Sequence, residues 1–129
     1  MASAQSKIEV QPELWANAGN TGNAETIVAL YANDAVFWGT SLKTVTKGRN
    51  GIKAYFEAAF SRFPGLHSTI EDVVVQNFGD IATSTGIAKF SNIVDGKAQW
   101  TAFARFTFTY AKRNGDWKIV NHHSSIMPN

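Results

Sequence analysis

Ala104-Arg105-Phe106-Thr107-Phe108-Thr109-Tyr110 and, past a turn at Asn114-Gly115, Trp117-Lys118-Ile119-Val120-Asn121-His122-His123-Ser124-Ser125-Ile126 read as two long strands of one hairpin. Aromatic and β-branched residues alternate with polar ones through both runs, the period of a half-buried strand. The Asn-Gly pair supplies the positive φ that a two-residue type I′ turn needs at both positions. Asp95-Gly96 repeats that signal upstream, and Phe78-Gly79-Asp80 marks a further turn. Residues 68–76, 81–94, 99–112 and 117–126 are therefore expected to form an antiparallel meander.

The first half of the chain has a different period. Ile8, Leu14, Trp15 and Ala18 are spaced for a helix with Pro12 near its start, and the polar break Gly19 to Asn23 ends it. Asn23 can cap a short helix carrying Ile27, Val28, Leu30 and Tyr31. A strand at 34–38 and a polar excursion to Thr46 come next. Gly48-Arg49-Asn50-Gly51 then opens a third helix, in which Ile52, Tyr55, Phe56, Ala59, Phe60 and Phe63 recur every three or four residues until Pro64-Gly65. Helices first and a meander afterwards predict an α+β domain: three N-terminal helices packed on a strongly curved, mostly antiparallel sheet.

Composition narrows the function. The 129 residues, 44% of them hydrophobic, suit a single domain over 1–129. The chain has no cysteine, which removes disulfides, thiolate nucleophiles, zinc–thiolate sites and iron–sulfur clusters. Twelve basic residues lie scattered among ten acidic ones for a net charge of +2, so no basic stripe points to nucleic acid. No run approaches the ~20 apolar residues of a membrane span. Met1 to Lys7 lacks the apolar core of a signal peptide. These features predict a cytoplasmic protein with neither nucleic acid nor membrane as partner.

An uninterrupted final hairpin pairs Arg113 with Asp116, and hence Thr107 with His122, Phe106 with His123 and Arg105 with Ser124. Arg105, Thr107, His122, Ser124 and Ile126 then share one face, while Phe106, Phe108, Tyr110, His123 and Ser125 share the other. The preceding hairpin places Gly86 opposite Arg105 and leaves the guanidinium room. An arginine in a mid-strand position needs a carboxylate, water or an anionic ligand if it is buried. A β-bulge anywhere in these strands flips every later side chain to the opposite face.

From this register, His122 is the candidate general base, oriented by Thr107 or Ser124, and Arg105 is the anion anchor. Trp38, Tyr31 and Phe56 are candidates to line the ligand pocket with them, as are Trp15 and Phe60. Phe106, Phe108, Tyr110 and His123 are the candidate interface. Each has a structural alternative: a hydrogen-bonded core histidine, an ion-paired arginine, aromatic residues that simply fill the core. No metal site is expected, because adjacent histidines diverge on a strand and only His67 remains. No nucleotide loop or serine elbow is present, and no cofactor is expected.

Several of these stretches carry a resemblance. Residues 104–110, 114–120 and 122–128, together with Leu30-Tyr31-Ala32-Asn33-Asp34-Ala35, Tyr55-Phe56 and His67-Ser68-Thr69-Ile70, resemble small bacterial proteins related to the association domain of calcium/calmodulin-dependent protein kinase II. These belong to the nuclear-transport-factor-2-like superfamily, with the ketosteroid isomerases and SnoaL-like cyclases. The resemblance implies a cone-shaped fold, a pocket between helices and sheet, and assembly through the outer sheet face. It does not imply kinase activity.

Two functions follow as expectations. One is a homodimer or higher oligomer that binds a small, anionic organic molecule, with isomerase, cyclase or lyase chemistry. The other is a non-catalytic oligomerisation or scaffold module like the kinase association domain.

Overall fold

The computed structural model describes residues 7–129; the polar start read above, Met1 to Ser6, lies outside them. A 3-10 turn at Ile8–Val10 leads into α1 (Gln11–Asn20), α2 (Ala24–Val28), β1 (Tyr31–Trp38) and β2 (Thr46–Lys47). α3 (Arg49–Arg62) follows, and then β3 (Leu66–Asn77), β4 (Ile81–Val94), β5 (Lys97–Arg113) and β6 (Asp116–Ile126). Pro12 sits in the first turn of α1, where its missing N–H costs nothing. The Asn23 side chain accepts the Glu25 amide at 2.9 Å and so caps α2.

The six strands form one sheet in the order β2-β1-β6-β5-β4-β3. Every pairing is antiparallel except β1 with β6, so the sheet is mixed. The helices do not all precede it, because α3 follows the first two strands. Asp95 (φ 52°), Gly96 (φ 76°), Asn114 (φ 53°) and Gly115 (φ 83°) all adopt the left-handed conformation, as type I′ turns require.

Both hairpins slip after a regular start. In the last one, pairing runs from Arg113 opposite Asp116 to Tyr110 opposite Ile119, and Thr109 then faces Asn121. Val120 is the extra residue of a β-bulge. Phe108 therefore faces His122, Phe106 faces Ser124, Thr107 faces His123, and Arg105 faces Ser125. A similar shift between Ser91 and Ile93 puts Gly86 opposite Phe106 and Ile87 opposite Arg105.

These shifts overturn the cross-strand faces expected from the sequence. Arg105 and Thr107 lie exposed on the outer face of the sheet. Phe106, Phe108 and Tyr110, expected at an interface, are buried within the chain together with Trp117 and Ile119. The physical reason is packing. This aromatic row meets Tyr31, Phe37, Ile27 and Ile52 beneath the helices, and each large apolar side chain removed from water contributes about 1.5–3 kcal/mol.

Polar ties help to hold the helical layer to the sheet. The Asn20 amide donates to the Ser68 carbonyl (2.9 Å) and accepts the Ser68 N–H (2.7 Å), which docks the end of α1 on the edge strand β3. Arg49, at the start of α3, donates from Nε (3.2 Å) and Nη2 (2.9 Å) to the Tyr31 carbonyl. That clamp fixes the first residue of β1.

Candidate functional site

Between α1, α3 and the inner sheet face lies a cavity of about 570 Å³. Trp15, Phe56, Phe60, Phe90 and Trp100 make most of its wall apolar, and Ala102 and Ala104 keep its floor low. Asn20 and Ser68 are committed to each other, whereas the His122 imidazole and the hydroxyl-bearing side chains Thr40, Ser41, Thr46, Tyr55 and Ser124 remain.

His122 forms the deep end. It is only 2% exposed, and its ring stacks on Phe37 (4.6 Å between centroids) and tilts against Phe108 (4.2 Å). Nδ1 lies 2.8 Å from the Tyr31 hydroxyl, which accepts a hydrogen bond from Trp15 Nε1 at 3.0 Å. Burial pushes the His122 pKa down to about 3, with a smaller contribution from neighbouring His123. Burial also raises the Tyr31 pKa well above its ordinary value. Both groups are therefore neutral at physiological pH.

Two residues on, Ser124 shares the His122 face of β6 and is 2.5 Å from the Thr40 hydroxyl. Thr40 and Leu42 belong to the segment between β1 and β2, which closes one side of the cavity. Arg62, in the last turn of α3, is exposed yet lines the cavity, so it marks the mouth. Its guanidinium lies 5.2 Å above the Phe63 ring. Among the described residues no Asp or Glu lines this cavity, and Arg62 is its one formal charge. Among the described residues, no cluster of three or more His, Cys, Asp or Glu side chains is placed to hold a metal ion.

The expected site residues are therefore divided. His122, Ser124 and Phe56 meet in the cavity, and Tyr31 stands behind His122 as its hydrogen-bond partner. Trp38 is instead 41% exposed on the outer face, stacked with exposed His123 at 6.0 Å. Arg105 and Thr107 share that outer face and do not reach the cavity. Thr40 and Arg62 escaped the sequence reading. Thr40 lies in an irregular polar segment without a period, and Arg62 reads as an ordinary cation at a helix C-terminus.

Comparison with known proteins bears on this geometry. Residues 11–129 match the SnoaL-like domain family. A Xanthomonas campestris protein whose structure is named for a calcium/calmodulin-dependent protein kinase II association domain is similar, with 35% identity and a TM-score of 0.83 over 95% of this chain and 86% of that one. A nuclear-transport-factor-2-like protein of unknown function from Pseudomonas putida has 23% identity and a TM-score of 0.84, over 98% of this chain and 88% of that one. A Caulobacter vibrioides protein with a cystatin-like fold has 17% identity and a TM-score of 0.79, over 94% and 87%. No curated protein matches the chain.

Proposed function

The chain belongs to the SnoaL-like domain family of the nuclear-transport-factor-2-like superfamily, and from that premise we propose that it binds a small, largely apolar organic molecule in the cavity beneath α3. The supporting observation is the cavity itself: about 570 Å³, mostly aromatic and aliphatic in its wall, with His122 at its deep end. That combination fits a pre-formed small-molecule site. Any anionic group of the ligand belongs at Arg62 near the mouth rather than at Arg105, which faces away. Isomerase, cyclase or lyase chemistry, if the bound molecule reacts, centres on the part of it that touches His122.

A thermal-shift series with bicyclic hydrocarbons and their oxygenated analogues tests this reading. The wild-type protein is expected to gain stability in proportion to ligand occupancy. Ala102→Phe, which fills the floor, is expected to abolish the gain. Absence of any shift with the wild type overturns the proposal.

A second reading, self-association, draws on the outer face. Trp38, His123 and Thr107 form one row there, with Arg105 and Ser125 in the next and Phe103 beyond. Trp38 and Phe103 are each 41% exposed, which is large for such side chains on one sheet face. A homodimer through this face covers them, and the two readings are compatible. A scaffold role without catalysis then corresponds to assembly in a protein whose cavity takes no ligand.

A further inference from the structure

The polar chain that ends at His122 has a direction. Trp15 Nε1 can only donate, so the Tyr31 oxygen accepts from it. The Tyr31 hydroxyl keeps its own proton, and the one acceptor paired with it is His122 Nδ1. A neutral imidazole that accepts at Nδ1 carries its hydrogen on Nε2. Among the described residues Nε2 has no hydrogen-bond partner, and no buried side-chain nitrogen or oxygen is left unsatisfied. Nε2 is therefore not sealed in the core: it opens on the cavity that His122 lines.

Resting on the reading that this cavity is a ligand site, we propose that Trp15 and Tyr31 fix His122 as a hydrogen-bond donor, Nε2–H toward the cavity, and that the ligand is a neutral organic molecule recognised through a carbonyl oxygen. The wall decides between acceptor types. The Thr40 and Ser124 hydroxyls share one proton between them and keep the other as a second donor. A carbonyl brings acceptor capacity and no proton, so it satisfies this donor-rich end. A hydroxyl adds a further proton, for which the uncommitted side chains of the wall offer only hydroxyl oxygens, each already carrying a proton of its own to place. A carboxylate placed this deep leaves its hydration for an apolar surround and a neutral imidazole, which is unfavourable. His122 thus polarises the carbonyl, and Trp15 and Tyr31 are positioning residues that act through it. The arrangement does not suit His122 to proton abstraction, because its one basic nitrogen is occupied by Tyr31.

Two measurements test the proposal on the full chain. Histidine-labelled ¹⁵N NMR of the free protein at pH 7 is expected to show His122 with a protonated Nε2 and a bare Nδ1. A protonated Nδ1 or an imidazolium overturns the assignment. Tyr31→Phe is expected to mix the tautomers, and Trp15→Phe, which keeps the Tyr31 hydroxyl, to do so partially. The wild-type spectrum alone is decisive if either variant fails to fold. The second measurement compares 1-tetralone with tetralin, the same bicycle with and without a carbonyl. The ketone is expected to bind roughly fivefold more tightly, the effect of one net hydrogen bond. Its infrared carbonyl band is expected to fall on binding, and the fall to vanish in His122→Phe. Equal affinities with no band shift overturn the carbonyl inference and leave the cavity reading standing. Binding of neither compound overturns the cavity reading itself.

Discussion

At the scale of the residue, burying the His122 imidazole carries a cost that acid exposes. Its folded pKa of about 3 lies below its ordinary 6.5, so the unfolded chain takes up a proton more readily between those values. Its contribution to stability is complete above pH 6.5 and is lost as the pH falls toward 3, at about 1.4 kcal/mol per pH unit. Urea unfolding at pH 6.5 and 4.5 is expected to show a fall about 2 kcal/mol larger in the wild type than in His122→Gln. A parallel pH dependence in the two proteins refutes this. Gly86 presents a steric limit instead: a Cβ there lies 2.0 Å from the Asp72 carbonyl and 3.0 Å from the Phe106 ring. Gly86→Ala is expected to destabilise by about 3 kcal/mol, measurable as a fall in Tm. The sequence placed Gly86 beside Arg105, where it would have been a convenience; beside the Asp72 backbone it is a requirement.

At the scale of the element, what could be read in advance was whatever depends on local period. The four meander strands, the capped second helix and both type I′ turns follow from residues close together in the chain. Within β6, alternation correctly kept His122 with Ser124 and separated both from His123 and Ser125. The partner across the sheet could not be read, because Val120 is an unremarkable β-branched residue and nothing in its neighbours announces a bulge. That single extra residue moved Arg105 and Thr107 out of the site and Phe106, Phe108 and Tyr110 into the core. Tyr31 was placed near the pocket, but its bond to His122 spans 91 residues and has no local signal. Packing between elements also depends on isolated ties. Asn20→Ala removes three hydrogen bonds to Ser68, two of them to its backbone, and leaves that buried strand segment short of partners. A loss of about 2 kcal/mol is expected in urea unfolding, with faster amide exchange confined first to β3. Uniform exchange across the sheet is the contrary result.

At the scale of the whole molecule, the inner face of the sheet closes the cavity, and the outer face, with Trp38 and Phe103 exposed, is the one on which the proposed self-association is tested. Light scattering at micromolar concentration is expected to give twice the mass of the 14.1 kDa chain. Phe103→Glu is expected to give a monomer that still binds bicyclic ligands. A wild-type monomer excludes self-association through this face, and a dimeric variant moves it elsewhere.

The parallel contact of β1 with β6 also sets a timetable. Translation at about 5–20 residues per second separates Tyr31 from His122, 91 positions later, by on the order of ten seconds. During that interval β3, β4 and β5 can zip into hairpins, while β1 has only the two-residue β2 along one side. Its polar Asn33 and Asp34 guard part of the waiting edge, but Phe37 and Trp38 do not. Arrival of the final strand therefore ends a period of aggregation risk and, in the same event, delivers the imidazole to its phenol.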